Sequence, residues 1–510
     1  MIAHMELDAR KISAGTVLEA DLCIIGAGPA GIALARELIG RSASVLILES
    51  GGPAPETSIQ KLNDGRVVGD RYVGLRQSRR RAIGGTTHLW NTSVAGANGA
   101  KYVPLDPCDF AVHADLSHNR WPFDYSHLEP FYRRAQEFCR LGPFRYEGED
   151  WFDPKLRGLP LGECLGTKVY QFGDGDIFTH YYPREICASE NVTLLHHATV
   201  CGLKTDDGKR NVVGAKLACL GGGRFHVRSA IFVLAAGAIE NARLLLLTNG
   251  GALGNRHGWV GRCFMEHLRD YALTLIPRSP ELFSQAGFYD SHCARDGTII
   301  GGRIVLAESA LRKDRLPNAS VTLFPQTRIG FSTGIAGRLA ARLRRLAGHQ
   351  PNMGYGWSRV DDLSRRCDAF QLLVNFEQKP DPENRVVLAR SRDFFGVPRA
   401  ELHWRWRAEE QAALEKLRRL LAAGFEASVL GRVEIRSGEK PDPNAHHHAG
   451  TTRMHEDPRY GVVDGDGRVH ETDNLYVAGA SVFPSAGCAN PTLTIVALAL
   501  RLADHLKQRI

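Results

Sequence analysis

The protein has 510 residues, and because single hydrophobic cores stop growing at roughly 250 to 300 residues, this length predicts two domains. Hydrophobic residues make up 43% of the chain and charged residues 24%, which excludes a disordered or fibrous protein. The formal net charge of +8 is spread along the chain, which argues against a nucleic-acid binder. The basic runs at 76–82 and 337–349 are interpreted as solvated faces or anion contacts.

The cysteines and the apolar segments predict a cytoplasmic protein. The 11 cysteines are odd in number and form no C-x-x-C pair, which is typical of a reducing compartment. The first twenty residues contain no apolar core of a signal peptide. The longest apolar run, residues 493–500, is well short of the ~20 residues that a membrane helix needs, so we expect no membrane span.

Residues 20–40, ADLCIIGAGPAGIALARELIG, form the first chemically informative segment. The pattern is a buried strand, a glycine turn and an amphipathic helix, with glycines at 26, 28 and 31 as G-x-G-x-x-G. The first glycine permits the tight turn, the second lets backbone approach a pyrophosphate, and the third lets helix pack on strand. The free N–H groups of the helix start would face the phosphates, so this segment predicts a dinucleotide site.

A second strand, residues 44–50, places Glu49 where a carboxylate accepts hydrogen bonds from a ribose diol. A carboxylate at this position would repel a 2′-phosphate, which disfavours NADP. Residues 191–249 then show three short β segments separated by turns, followed by the buried strand 230–237 and a helix. A parallel sheet interrupted by an antiparallel meander is more typical of FAD-binding proteins than of simple NAD dehydrogenases.

The remaining segments have a different pattern. Residues 121–143 predict an N-capped helix, and residues 266–440 predict an antiparallel sheet backed by helices that would cover the flavin as a substrate domain. The basic helix at 337–349 is open to four interpretations: a lid, an oligomer contact, a membrane-surface helix or a plain exposed helix.

The fold class is therefore α/β, or α+β overall, with a Rossmann-like FAD-binding domain and a substrate domain. The FAD-binding domain takes its first part from 15–100, with a flavin-contacting segment at 81–92, its second from 186–265 and its C-terminal part from 441–510. Residues 101–185 form a substrate or lid part, and 266–440 form the substrate-binding domain.

Three consecutive histidines, His446, His447 and His448, raise the question of a metal site. Neighbouring residues of an extended chain point to opposite faces, so at most the first and the third could share a metal. No cysteine or carboxylate nearby is spaced to complete a tetrahedral zinc site, and we expect no metal. A purification tag would stand at a terminus and apart from any motif, so this interpretation fails on position.

Four segments together resemble the glucose-methanol-choline (GMC) oxidoreductases, which are FAD-dependent alcohol oxidases and dehydrogenases. These are the N-terminal glycine motif with Glu49, RAIGGTTHLWNT at 81–92, LAAGAIENARLLL at 234–246, and the C-terminal block 446–506. A glycine at 479, where many relatives have aspartate, is similar to the pyranose-oxidase and sugar-dehydrogenase branch.

The resemblance implies FAD as the cofactor and a set of residues around it. That set is Gly26, Gly28, Pro29, Ala30, Gly31, Glu49, Arg81, Gly84, Gly85, Thr86, His88, Trp90, Val200, Ala236, Gly237, Gly479, Ala480, Asn490, Pro491 and Thr492. Members with covalently bound flavin carry a histidine four residues after the second glycine, where this chain has Leu89. We therefore predict non-covalent FAD, with His88 as either a hydrogen-bond partner or a packing residue.

The resemblance also implies that His447, in the pattern H-x-x-G-T, is the catalytic base and that Asn490 lies opposite it. A neutral imidazole can take the O–H proton of an alcohol while hydride leaves from carbon. Should His447 not be the base, His448 is the first substitute. We expect oxidation of an alcohol group of a sugar, glycoside or cyclitol, with oxygen, a quinone or a partner protein as electron acceptor. The alternatives are a non-sugar alcohol, a hydroxynitrile-lyase-like enzyme of the same fold, and a flavin-binding protein without turnover.

Overall fold

The computed structural model describes residues 6–90, 92–94, 97–110, 120–251, 253–327 and 353–510. The predicted basic helix at 337–349 lies outside these residues.

The strands are β1 (Glu6–Asp8), β2 (Val17–Ile25), β3 (Val45–Leu48), β4 (Gly65–Gly69), β5 (Thr92–Val94), β6 (Ala97–Tyr102), β7 (Leu165–Asp174), β8 (Val192–His196), β9 (Thr199–Thr205), β10 (Val212–Ala218), β11 (Arg224–Leu234), β12 (His267–Pro277), β13 (Ser291–Cys293), β14 (Ile299–Leu306), β15 (Ala319–Thr327), β16 (Cys367–Glu377), β17 (Arg385–Arg392), β18 (Pro398–Trp404), β19 (Gly431–Ile435) and β20 (Leu475–Val477). The α-helices are α1 (Pro29–Arg36), α2 (Thr57–Gln60), α3 (Tyr125–Phe138), α4 (Tyr182–Cys187), α5 (Ala238–Leu247), α6 (Leu282–Gln285), α7 (Glu308–Asp314), α8 (Leu363–Arg366), α9 (Ala408–Ala427) and α10 (Thr492–Leu506).

The first sheet is the predicted nucleotide-binding sheet. Its strands run in the order β1-β8-β3-β2-β11-β10-β9, and β20 adds to β11. The pairings from β1 to β11 and the β11–β20 pairing are parallel, whereas β9 and β10 attach as an antiparallel meander. Helix α1 packs against β2 and β3 and also against α10. The C-terminal halves of β2 and β11 and all of β3 are buried, which explains their continuous apolar sequences.

The second sheet takes most of its strands from residues 266–440, where an antiparallel sheet was predicted, and adds β5, β6 and β7 from residues 92–174. Its order is β19-β12-β16-β15-β14-β7-β6-β5 with β13 on β14, and all of its pairings are antiparallel. Helix α9 packs on the β19 and β12 end. The predicted fold class is confirmed, and the predicted helix at 121–143 is α3, whose N-cap Asp124 accepts a hydrogen bond from the N–H of His127.

A third, three-stranded sheet, β17-β18-β4, was not predicted. Strand β4 from the N-terminal part pairs in parallel with β18, more than 300 residues later in the sequence. This sheet joins residues 65–69, which follow the first strands of the nucleotide-binding sheet in the sequence, to residues 385–404. Among the described residues, helices long and apolar enough to cross a membrane are absent, and the cytoplasmic location stays a prediction.

Candidate active site

The three glycines of the turn between β2 and α1 differ in the space that a Cβ atom would have at each position. Gly26 has φ +115°, and a Cβ on it would lie 2.5 Å from the carbonyl oxygen of Ala235. A Cβ on Gly31 would lie 2.0 Å from the carbonyl oxygen of Gly26, so this glycine lets the helix pack against the turn. A Cβ on Gly28 would meet nothing within 4 Å. The second glycine therefore leaves an open space at the helix N-terminus.

That space is part of a cavity of about 1510 Å³, measured out to its open mouth. The predicted residues that line it are Gly26, Gly28, Pro29, Ala30, Glu49, Arg81, Gly85, Thr86, Trp90, Val200, Ala236, Gly237, His447, Gly479, Ala480, Asn490, Pro491 and Thr492. Residues from both ends of the chain and from its middle therefore share one cavity.

Three residues of the predicted set lie outside the lining: Gly31, Gly84 and His88. A Cβ on Gly84 would lie 2.7 Å from Cγ2 of Thr179, so this glycine lets segment 84–90 pack on its neighbours. Nε2 of His88 lies 2.8 Å from the carbonyl oxygen of Ile83. His88 is therefore a hydrogen-bond partner of the backbone. Leu89, in contrast, lines the cavity.

Two further glycines shape the cavity wall. Gly237 precedes α5 with φ +82° and has open space where its Cβ would be. Gly479 follows β20 with φ +106°, and the atom nearest to a Cβ at this position would be Cβ of Ala30, at 3.8 Å. With Gly28, these positions form a cradle that side chains would fill, which is the shape that an extended dinucleotide requires.

Glu49 and Arg81 occupy the polar end of this cradle. The Glu49 carboxylate accepts hydrogen bonds from the N–H groups of Ala27 at 3.0 Å and Gly51 at 2.8 Å. Burial raises its pKa despite these bonds. Arg81 Nη2 lies 3.0 Å from the Glu240 carboxylate. Glu49 thus holds the glycine turn and also faces the cavity, as the predicted ribose contact requires.

Glu240 at this end was not predicted. It lies on α5, is buried, and forms ion pairs with Arg79, Arg81 and Arg243. Burial raises the pKa of its carboxyl, but the three arginines outweigh burial and hold the pKa below its usual range. The helical segment AIENAR offered no signal for this role, because an acidic residue on a helix is usually exposed.

The predicted catalytic pair comes together in the cavity. Nε2 of His447 lies 3.3 Å from Nδ2 of Asn490, although the two residues come from different loops. Asn490 immediately precedes Pro491 and helix α10, which fixes its position at the helix start.

A third residue, His267 at the start of β12, orients His447. Its Nε2 lies 3.1 Å from the carbonyl oxygen of Ala486, so Nε2–H donates to that oxygen. A neutral His267 then has an unprotonated Nδ1, which lies 2.8 Å from Nδ1 of His447 and accepts its hydrogen. The lone pair of His447 is therefore on Nε2, the nitrogen that faces Asn490.

Burial keeps these rings uncharged. It lowers the pKa of His267 to about 4 and the pKa of His447 well below its ordinary value of 6.5. The positive charge of Arg269, and that of His267 when it is protonated, lowers the pKa of His447 further. The geometry thus supplies a neutral imidazole with one free lone pair at physiological pH.

Glu266, adjacent to His267, holds the backbone of this group. Its Oε1 accepts hydrogen bonds from the N–H groups of His447 at 2.6 Å and His267 at 2.9 Å. Its Oε2 accepts one from the Tyr72 hydroxyl at 2.7 Å. Burial raises the pKa of Glu266 to about 7.

The two other histidines of the triplet also line the cavity, but their rings contact other groups. His446 Nε2 lies 2.5 Å from Oδ1 of Asn444. The ring of His448 packs beside those of Phe264 and Tyr72. Within the described ranges, the group of side chains close enough to share a metal is Asp8, His196 and His197, none of which lines the cavity.

Comparisons with known proteins agree with this geometry. Residues 380–499 match the family model described as GMC oxidoreductase. The chain is 25% identical to the fructose dehydrogenase large subunit of Gluconobacter japonicus, over 96% of this chain and 98% of that protein. It is 26% identical to the 6'''-hydroxyparomomycin C oxidase of Streptomyces lividus, over 95% of this chain and 92% of that protein.

Solved structures share the fold. Pyridoxine 4-oxidase from Mesorbium loti superposes with a TM-score of 0.56 at 16% identity, covering 96% of this chain and 99% of that one. Formate oxidase superposes with a TM-score of 0.54 at 16% identity, covering 98% and 99%.

The parallel sheet, the glycine cradle and the imidazole-amide pair define an FAD-dependent oxidoreductase that acts on CH–OH groups. More specifically, residues 380–499 match the GMC oxidoreductase family model, and nearly the whole chain is similar to the fructose dehydrogenase large subunit. The cradle and Glu49 fit FAD, for which Gly28, Gly237 and Gly479 leave room.

Proposed function

We propose that the protein oxidises a CH–OH group of a sugar, glycoside or cyclitol to a carbonyl, with non-covalently bound FAD. The observation that carries the proposal is the unprotonated Nε2 of His447 in the cavity, beside the amide of Asn490. Leu89 in the cavity wall, where covalent members have histidine, supports dissociable FAD. The names of relatives support the substrate class: one is a fructose dehydrogenase, and a C-glycoside 3-oxidase of Arthrobacter globiformis is 35% identical over 25% of each chain.

Each residue of the pair has one task. Nε2 of His447 takes the hydroxyl proton as the carbonyl forms, and the Nδ1–H···His267 bond stabilises the resulting imidazolium. The amide of Asn490 cannot act as a base. Its Nδ2–H group donates to the substrate oxygen and fixes the angle of the reacting carbon. When bound, FAD accepts the hydride, so the alcohol loses two electrons and two hydrogens.

The proposal is tested by anaerobic mixing of the FAD-loaded protein with sugars, glycosides and cyclitols while flavin absorbance is followed. Substrate should bleach the flavin, and His447→Ala should slow bleaching by about 10²- to 10⁴-fold, the usual contribution of a general base. Because burial lowers the pKa of His447 well below 6.5, the wild-type rate should persist as pH falls through 6.5.

His127→Ala serves as the control and should leave the rate unchanged. His127 is exposed and does not line the cavity, and its ring contacts Phe123, Phe131 and Arg501. Bleaching at the wild-type rate in His447→Ala would remove the role assigned to this residue. Release of an aldehyde or ketone from a cyanohydrin, with the flavin still oxidised, would instead identify a lyase.

A further inference from the structure

Two neighbouring strands of the first sheet end in side chains of the types that ligate metals. Strand β1 ends at Asp8 and strand β8 ends at His196, and their parallel register places these two residues opposite each other. The next residue of the chain is His197. Because the carboxyl ends of parallel strands meet at one edge of a sheet, this edge carries a carboxylate and two imidazoles close together.

The backbone of His197 lets two consecutive histidines face each other. In an extended chain, neighbouring side chains point to opposite faces, so two such histidines would not share a ligand. His197 has φ +57°, in the left-handed region, and this turn breaks the alternation. Nδ1 of His196 lies 2.7 Å from Nδ1 of His197. The pair thus differs from the triplet at 446–448, whose rings contact separate groups.

The three candidate ligand atoms lie at distances close to those around a metal ion. Oδ1 of Asp8 lies 3.4 Å from Nδ1 of His197, and the ligand atoms of all three residues lie within 4.8 Å of one another. Tetrahedral zinc, with bonds of about 2.0–2.1 Å to nitrogen, separates neighbouring ligand atoms by about 3.3–3.4 Å. The distance from Asp8 to His197 matches this value, and the two histidine nitrogens need to separate by only about 0.6 Å.

A carboxylate on the outer nitrogen of His197 determines which nitrogen faces the cluster. Nε2 of His197 lies 2.5 Å from Oε1 of Glu56, and because a carboxylate only accepts, Nε2–H donates to it. The lone pair of a neutral His197 is then on Nδ1, which faces Asp8 and His196. Gly52 gives this contact its room, because a Cβ there would lie 2.7 Å from Nε2 of His197. Metal-ligating histidines almost always donate their other ring N–H to such a partner.

The Asp8 carboxylate is held from its outer side by Arg10. Oδ2 accepts hydrogen bonds from Nε of Arg10 at 2.9 Å and from Nη2 at 2.5 Å, and Oδ1 accepts from Nε and from the backbone N–H of Arg10 at 3.0 Å. Arg10 is exposed, so its guanidinium can keep the bonds to Oδ2 when Oδ1 turns to a metal ion. Carboxylates that ligate metals are themselves hydrogen-bonded in this manner.

Two imidazole nitrogens and one carboxylate oxygen suit zinc and its neighbours among the transition metals, whereas Mg²⁺ and Ca²⁺ prefer oxygen ligands. We infer that Asp8, His196 and His197 bind a divalent transition-metal ion of the zinc type, with a fourth position left for water. Both histidines are buried and Asp8 is half-buried, so the ion enters from the Asp8 side. The ion joins β1 to β8 beside Ala198, which lines the polar end of the cavity. This inference is independent of the oxidation proposed above.

Calorimetric titration of the FAD-loaded, EDTA-treated protein with ZnCl₂ tests the site. The wild-type protein should bind one more Zn²⁺ ion than Asp8→Asn and His196→Gln, and MgCl₂ should give no such difference. Comparing proteins in this way removes ions that bind to the histidine triplet or to the surface. Glu56→Ala loses only the outer hydrogen bond of His197, and it should weaken zinc binding by about 10- to 100-fold.

His180→Gln is the matched control. This exposed histidine also has a carboxylate nearby, Asp176 at 4.0 Å, but within the described residues it belongs to no group of three metal-ligating side chains. The variant should bind as many Zn²⁺ ions as the wild-type protein. Far-UV circular dichroism and the flavin-to-protein ratio check that all variants fold.

Thermal unfolding gives a second measurement on the wild-type protein itself. An ion that binds the folded chain alone stabilises it, so ZnCl₂ should raise the unfolding midpoint of the EDTA-treated protein, and MgCl₂ should not. The midpoint of Asp8→Asn should not respond to ZnCl₂. Equal zinc stoichiometry in the wild-type protein and in both ligand variants, or a wild-type midpoint that zinc leaves unchanged, would overturn the inference.

Discussion

The role of His447 depends on which of its nitrogens carries the hydrogen. The carbonyl of Ala486 fixes the tautomer of His267, and His267 fixes that of His447 through the 2.8 Å contact between their Nδ1 atoms. A wrong tautomer would place a hydrogen where the lone pair is required, so His267 is a positioning residue for the base.

Substitution of His267 tests this hydrogen-bond chain. His267→Phe keeps a ring of similar size but cannot accept from Nδ1–H of His447, and we expect bleaching to slow by about 10- to 100-fold. In His267→Asn, Oδ1 stands near the position of Nδ1 and can accept that hydrogen, while the contact with Ala486 is lost, so the rate should return in part. Stopped-flow absorbance gives the rate, and the flavin-to-protein ratio checks that FAD is retained.

A purely structural role for His267 would affect both variants alike and would raise KM as much as it lowers kcat. Equal rates in His267→Phe and in the wild-type protein would show that the tautomer is set by another group.

The residue scale also shows what the sequence could not reveal. His447 and Asn490 were found because they stand in a motif of the C-terminal block. His267 stands 180 positions from His447 in the sequence, in a segment read only as an alternating strand. Its role follows from a tertiary contact.

At the scale of elements, the glycine turn shows most clearly how one residue determines the room left for the cofactor. Gly28 has φ −83° and ψ −176°, which any residue can adopt, and open space beyond its Cα. A side chain here would leave the fold intact and occupy the room left for FAD.

Gly28→Val should therefore lower the flavin-to-protein ratio of the purified protein several-fold with little change in far-UV circular dichroism. Gly202→Val is the matched control, because this strand glycine also has nothing within 4 Å of its Cβ position but does not line the cavity. Normal flavin content in Gly28→Val would show that the cofactor does not approach the turn closely.

Elements with local signals were predicted from the sequence, and elements fixed by distant pairing were not. The strand-turn-helix at 20–40 and the meander before the buried strand β11 carry their own turn residues and periodicity. The sheet β17-β18-β4 joins segments at 65–69 and 398–404, and strand propensity does not identify the partner across such a separation.

At the scale of the molecule, a buried ion pair anchors the strand that carries His267 and Arg269. Asp270 of β12 accepts hydrogen bonds from Nε and Nη2 of Arg418 on α9, at 2.9 and 2.8 Å. Both side chains are 1% exposed or less. The pair fixes the strand against the helix behind it.

Asp270→Asn leaves a buried guanidinium short of its principal counter-charge, and we expect the free energy of unfolding to fall by about 3 kcal/mol. Denaturant titration measures the change. Asp314→Asn, which breaks the surface pair with Lys416, should cost less than about 1 kcal/mol. Similar losses in both variants would show that the buried pair does not anchor the strand.

The cofactor cavity takes its wall from Gly28 near one end of the sequence and from Gly479 and Asn490 near the other. Strand β20 must add beside β11 before that wall is complete. While the ribosome is still extending the chain, the nascent protein has its glycine turn but lacks the opposite side of the cavity. Enclosure of FAD is therefore one of the last events in biosynthesis, and a chain halted before residue 479 would leave the turn open to solvent.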